Sequence, residues 1–312
     1  MGIFYQNQVL LRFLLIFTFF STIPTTFIIA QSKELMGMNE VVSVEFVEPD
    51  TIIQYGVDDF NFAELRIPQS SSNVKFPVVV VIHGGCWLSA VANADFMQGY
   101  ATGLTQEGYA SYNIEYRSAD HPDGGWPNTF NDVINAINHL SKLPSHYSLD
   151  LNKIILVGHS AGGHLALWTS FFPKELAQLH SIAKLETQII GVISLSGIVD
   201  LREYYDLTGQ SCGRGVHQLL GGSPEELQDL YRLTSPVDLY QSNSKVSLAL
   251  ITGALDPIVT PEHVKILSDV HPEINHLIIP QTGHFEMVVP YTPAWEKTLE
   301  VLKNMVDQLG SK

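Results

Sequence analysis

The sequence predicts an α/β fold, a mostly parallel central sheet flanked by helices with a small cap insertion, and three observations carry that reading. Short β-branched runs alternate with helical segments from Phe76 onward, the order that parallel strands joined by crossover helices require. One run, Lys153 to Val157, feeds the glycine-flanked turn Gly158-His159-Ser160-Ala161-Gly162 and then an apolar helix from Gly163 to Phe172. A single long stretch, residues 200–243, interrupts the alternation without ending it.

The first 30 residues stand apart. Val9 to Ala30 is apolar apart from Arg12, hydroxyl residues and Pro24, and reads as an export segment: Arg12 is the positive start, Phe13 to Phe20 the apolar centre, and Ala30 the small residue that cleavage favours. Cleavage near Ala30 leaves residues 31–312 as an exported domain, periplasmic or secreted. The alternative is a membrane anchor of residues 9–30, because Phe13 to Ala30 runs 18 residues without a charge.

Within the domain, Val41 to Val47 alternates before Glu48-Pro49-Asp50, and Phe60 to Ile67 alternates before Pro68; both read as strands of an antiparallel start to the sheet. Phe76 to Ile82 is a continuous run, the mark of a strand buried on both faces. Phe96 to Gln106 reads as a helix ended by Gly108, Tyr109 to Tyr116 as a strand, and Pro127 to Leu143 as a helix with proline in its first turn. Ile154 to Val157 is the strand before the glycine turn, and Ile189 to Leu195 the next. Residues 200–243 carry Tyr204, Tyr205, a glycine-rich stretch from Gly209 to Gly215 and a helical pattern from Pro224 to Leu233, and read as a cap over the site. Val246 to Thr252 and Asn275 to Ile279 are the last strands, the helix from Pro261 to Val270 lies between them, and Trp295 to Leu309 closes the chain as an amphipathic helix.

The chain has 32 acidic and 17 basic residues; loss of Arg12 with the leader takes the net charge from −15 to −16. Such a surface repels nucleic acid, so the expected partner is a small molecule, with no membrane insertion of the mature domain. Cys86 and Cys212 can pair once. Free thiols are the reading that position favours, since Cys86 lies in the glycine-rich turn after Ile82 and Cys212 in the insertion.

A serine hydroxyl needs a base to take its proton, and the base needs a carboxylate to orient it. After Ser160 the chain supplies both, Asp256 just past the strand ending at Thr252 and His284 just past the final strand. Asp200 is the rival acid, but its place at the head of the cap suits a turn. The late histidines His263, His271 and His276 fall in a helix, a loop before a strand and a strand. Charge developing on a carbonyl oxygen needs preorganised donors. The glycine-rich turn His83-Gly84-Gly85-Cys86-Trp87 provides them through the N–H groups of Gly84, Gly85 and Cys86, with Ala161 completing the hole. His83 braces this loop and is not a base. Trp87, His159, Tyr204 and Tyr205 are assigned to the substrate pocket, with core packing the other reading for Trp87. Arg117 and Asp132 read as a structural ion pair. No phosphate-binding loop or metal-ligand spacing is present, so neither cofactor nor metal is expected.

Together these residues resemble the α/β-hydrolase superfamily, and within it the serine esterases that share features with kynurenine formamidases and hormone-sensitive-lipase-like (BD-FAE-like) enzymes. His83-Gly84-Gly85-Cys86-Trp87 is similar to the H-G-G-x-W of formamidases, and Gly158 through Ala166 to the elbow of the same group. The resemblance spans roughly Val41 to Leu309 and implies the α/β-hydrolase fold, a Ser-Asp-His triad and cofactor-free hydrolysis. Cys86 departs from the third glycine of the lipase-like motif. The function expected is hydrolysis of small to medium carboxylic esters through an acyl-enzyme, with an N-formyl amide (arylformamidase) as the alternative and a non-catalytic ligand-binding protein as the reading from another class. Short acyl chains are favoured, because the cap lacks the long apolar stretch of an interfacial lipase lid.

Overall fold

The computed structural model describes residues 34–71, 74–206, 212–242 and 245–308. The leader, with cleavage near Ala30 or an anchor of residues 9–30, lies outside the described residues, as do Gly209 and Leu309. Among the described residues eight strands form one sheet: β1 (Thr51–Gln54), β2 (Phe62–Arg66), β3 (Phe76–Ile82), β4 (Ala110–Ile114), β5 (Leu149–His159), β6 (Gly191–Leu195), β7 (Ser247–Gly253) and β8 (Asn275–Ile279). Their spatial order is β1-β2-β4-β3-β5-β6-β7-β8. β2 is antiparallel to both β1 and β4, and every other pair is parallel. The sheet is therefore mostly parallel with an antiparallel start.

Helices follow in the order α1 (Met38–Val42), α2 (Gln98–Gln106), α3 (Asn128–His139), α4 (Ala161–Phe171), α5 (Leu201–Asp206), α6 (Gly213–Leu220), α7 (Gln228–Thr234), α8 (Pro236–Leu239), α9 (Pro261–Val270) and α10 (Pro293–Asp307). α9 and α10 start alike: a threonine accepts the N–H three residues on, His263 for Thr260 and Trp295 for Thr292, both at 3.2 Å, and proline occupies the first turn. The helices cover both faces of the sheet. Val78, Val80 and Ile82 pack with Phe130 and Trp168 on one side, while Val79 and Val81 pack with Tyr100 and Trp295 on the other. That two-sided burial is why these strands read as unbroken apolar runs. Among the described residues no helix is long and apolar enough to cross a membrane.

One predicted strand is absent. Val41 to Val47 begins inside α1, where the Glu40 carboxylate accepts the Gly37 N–H at 2.9 Å, and continues through a turn into irregular chain that joins no strand. Side chains hold the end of that stretch instead: the Val47 N–H donates to Thr102 Oγ1 at 3.0 Å, and Arg66 Nε donates to the Val47 carbonyl at 2.7 Å. At that end of the sheet the edge strand is β1. Arg117 and Asp132 do pair, at 3.5 Å between Nε and Oδ2, while a second guanidinium nitrogen reaches Asp58 at 2.8 Å.

Register decides where chemistry can gather. Ile82 pairs with Gly158, His159 with Leu195, Leu195 with Ile251 and Gly253 with Ile279, so β3, β5, β6, β7 and β8 end along one edge. The loops leaving that edge carry His83 to Trp87, Ser160, Asp256 and His284, the position expected for a site on an open α/β sheet.

Candidate active site

Ser160 sits between β5 and α4 at φ 54° and ψ −118°, a backbone region in which a side chain costs on the order of 1–3 kcal/mol. The glycines around it make the turn possible. A Cβ on Gly158 would lie 2.1 Å from the Gly162 carbonyl oxygen, and one on Gly162 would lie 2.2 Å from that of Ile82. The Ser160 N–H is fixed to the Leu195 carbonyl at 2.9 Å.

Asp256 follows β7 and is buried. Its Oδ1 accepts the N–H groups of Ile258 and Val259 at 2.8 and 2.9 Å, and its Oδ2 accepts from His284 Nδ1 at 2.7 Å. A carboxylate acceptor places the proton on Nδ1, so His284 Nε2 carries the free lone pair. Burial pushes the Asp256 carboxyl up, but the hydrogen bond and charge of His284, with the Val259 N–H, outweigh it and hold the group below the usual carboxylate range. His159 Nε2 donates to the His284 carbonyl at 3.1 Å and so fixes the backbone at His284. Burial, together with the neighbouring His284, lowers His159 to about 3.

Gly85, Cys86 and Trp87 all have positive φ, at 93°, 56° and 58°. The loop lies directly against the elbow: a Cβ on Gly84 would sit 3.1 Å from Ser160 Cβ. Its base is braced by Glu115, whose carboxylate bonds His83 Nε2 at 2.9 Å and accepts the Tyr116 and Ala94 N–H groups at 2.9 and 2.8 Å. Tyr116 stacks on the His83 ring at 4.2 Å and donates its hydroxyl to the His83 carbonyl. His83 thus braces the loop, as its position implied. The expectation of free thiols is corrected, because Cys86 is disulfide-bonded to Cys212, 126 residues later. The cap folds back over the loop through the start of α6, which brings the two Cα atoms to 5.0 Å.

A cavity of about 160 Å³ opens beside Ser160. Its walls are Met38, Val91, Ala92, Phe96, Ile258 and Phe285, with Gly85, both cysteines, His159 and His284 completing the lining. Trp87, Tyr204 and Tyr205 lie outside this lining. Trp87 is fully buried and meets His164 edge to face at 5.2 Å. Tyr204 is buried too, donating its hydroxyl to the Ile258 carbonyl at 3.0 Å, where it supports the loop after Asp256. Tyr205 packs within the cap against Tyr231 and His217. The rival acid Asp200 is engaged by Arg202 at 3.0 Å and caps the start of α5. His263 joins α9 to the cap, accepting the Val199 N–H at 3.0 Å on Nε2 and bonding Glu203 through Nδ1.

Sequence reasoning did not find Met38, Glu115 or Glu286. Glu115 left a trace, as a lone charge at the end of an apolar strand. Glu286 accepts the Met36 and Gly283 N–H groups at 2.9 and 3.1 Å, tying the segment that carries Met38 to the loop that carries His284. Nothing local marks a contact across 250 residues.

Residues 64–270 match BD-FAE. The chain belongs to the BD-FAE family. His284 lies beyond the matched span, so its place beside Asp256 is seen in the fold of this chain and not in the family match. A probable isoprenylcysteine alpha-carbonyl methylesterase, ICMEL2 of Arabidopsis thaliana, is 27% identical over 70% of this chain and 51% of its own length. Esterase LipC of Mycobacterium tuberculosis is 25% identical over 74% of this chain and 58% of its own. The BD-FAE chain therefore spans little more than half the length of these relatives. Among solved structures, a truncated carbohydrate esterase from gut microbiota superposes with a TM-score of 0.71 at 19% identity, covering 84% of this chain and 98% of that one. An inhibited esterase B from Lactobacillus rhamnosis gives 0.72 at 18%, covering 88% and 93%. These superpositions establish the α/β-hydrolase fold.

Proposed function

We propose that the protein is a carboxylic-ester hydrolase acting on small, apolar esters through an acyl-enzyme. The 2.7 Å bond from His284 to Asp256, made at the cavity that Ser160 enters from a strained turn, carries this reading. His284 Nε2 takes the Ser160 proton while Ser160 Oγ attacks the acyl carbon. The N–H groups of Gly85, Cys86 and Ala161, with Gly84 shaping the loop, hold the oxyanion. His284 then returns the proton to the leaving alcohol, activates a water in the same way, and the acid departs. The names of the relatives, esterase and methylesterase, support the same chemistry. Among its described lining residues the cavity has no Asp, Glu, Lys or Arg, which favours a neutral ester over N-formylkynurenine, whose ammonium and carboxylate would enter unpaired.

Ser160→Ala should fold normally and lose kcat by about 10³-fold or more, and an organophosphonate should label Ser160 in the wild type. A label on another residue would remove the assignment.

We further propose export, with cleavage near Ala30. The Cys86–Cys212 bond supports it, since disulfides persist in oxidising compartments. The docked segment from Met36 onward would survive that cleavage. Sequencing of native material should start near Gln31. Met1 retained in a membrane fraction would support the anchor of residues 9–30, and Met1 retained in cytosol would overturn both.

A further inference from the structure

The Cys86–Cys212 disulfide lies in the wall of the cavity beside Ser160, bonded to the loop proposed to hold the oxyanion. Positive φ is natural for Gly85, but Cys86 at 56° carries a Cβ in a region that favours glycine. Two features of the cap press on this residue. One is the covalent bond to Cys212, which immediately precedes α6. The other is the close approach of α6 itself: a Cβ on Gly215 would fall 2.3 Å from the Cys86 carbonyl oxygen. Trp87, next along, is held from the far side by its buried ring and by the Ala119 N–H on its carbonyl at 2.7 Å. Cys86 thus stands between an anchored tryptophan and a glycine, with the cap bonded to it.

We infer that Cys212 is a positioning residue of the hydrolytic site: its bond to Cys86 holds the oxyanion loop in the left-handed conformation that catalysis uses. The inference rests on the hydrolase reading above. It makes the cap a part of the catalytic apparatus and makes turnover dependent on an intact disulfide. Both cysteines are almost fully buried, at 6% and 1% exposure, yet both face the cavity, so a small dithiol reaches the bond by the route the substrate takes.

The test compares wild type, Cys212→Ser and Cys86→Gly/Cys212→Ser on a p-nitrophenyl ester of a short acid, with the melting temperature of each. Loss of one oxyanion donor typically lowers kcat by about 10²–10³-fold, so a loosened loop in Cys212→Ser should lose roughly tenfold to a hundredfold in kcat, with KM within about threefold. The double variant should regain most of that loss, because glycine takes positive φ without the bond. Dithiothreitol, which passes two electrons and two protons to the cystine and closes to its own cyclic disulfide, should reproduce the loss in folded wild type once two free thiols are counted. That arm also reads out if Cys212→Ser fails to fold. An unchanged kcat with a lowered melting temperature, a loss confined to KM, or a double variant no better than the single overturns the inference while wild type stays active. A wild type inactive on every ester and unlabelled at Ser160 would instead remove the hydrolase reading, and this inference with it.

Discussion

Asp256 divides its two oxygens between two tasks. Oδ1 holds the loop through Ile258 and Val259, and Oδ2 sets the tautomer of His284. Asp256→Asn separates those tasks, because the amide oxygen can still accept from the loop while the amide nitrogen presents N–H to His284 Nδ1. The imidazole must then carry its proton on Nε2, where it cannot accept the Ser160 proton. kcat should fall by about 10⁴-fold, with the melting temperature close to wild type. A kcat within tenfold of wild type would show that another group orients the base. The three triad candidates were legible in the sequence because each sits one short loop past an apolar strand, a placement that local patterning reveals. Their supports were not legible. His159 bonds a carbonyl 125 residues away, and Trp87, Tyr204 and Tyr205 pack behind the cavity instead of lining it, since aromatic residues near a motif serve a core as readily as a pocket.

At the scale of elements, patterning located the buried strand β3, the edge strand β8 and the helix α9 with the boundaries that the structure shows. β5 begins five residues before its predicted start, because Leu149 and Asp150 pair with Phe76 and Pro77 across a bulge that no local signal marks. The alternation of Val41 to Val47 misled because a period of two over so few residues also fits the end of a helix followed by a turn. Val41 is buried while Phe46 and Val47 remain exposed, and the backbone bonds that would have made a strand go to Thr102 and Arg66. In the cap, the glycines of α6 read as loop material. Gly215 instead permits a helix to press on the Cys86 carbonyl, and Val216, Leu219 and Leu220 form the buried face of that helix. Close approach and flexibility leave the same letter in a sequence, and only the fold distinguishes them. The same ambiguity hid the disulfide, whose partners belong to two elements that sequence order keeps far apart.

The whole molecule places neutral histidines where water cannot reach them, and that fixes how it responds to acid. Burial lowers His159 to about 3 and His164 to about 4, against an ordinary value of 6.5. His164 donates Nε2–H to the Thr234 carbonyl at 2.8 Å, so its neutral form joins the cap to α4. Between those lowered values and the ordinary one, the unfolded chain binds protons that the native protein does not. Stability therefore rises with pH across that window, and falls as the solution is acidified, by up to about 1.4 kcal/mol per pH unit for each histidine. Asp256 and Glu115 act in the same direction lower down: their carboxyls are held below the usual range, so their contribution is present above the unfolded carboxylate value and is lost as pH falls through the folded one. Asp132 and Asp238, pushed up by burial, oppose this near the carboxylate range. The histidines dominate at milder pH, where carboxylates of the unfolded chain stay ionised. Urea unfolding at pH 7, 6 and 5 should give a stability that drops by roughly 2 kcal/mol between the last two points. His164→Gln, which can still donate to Thr234 but cannot take up a proton on unfolding, should show a shallower slope, with His159, His139 and His276, all lowered by burial, supplying the remainder. A stability flat from pH 7 to 5, or a variant with the slope of the wild type, would mean that these rings are not the groups that make the fold sensitive to acid.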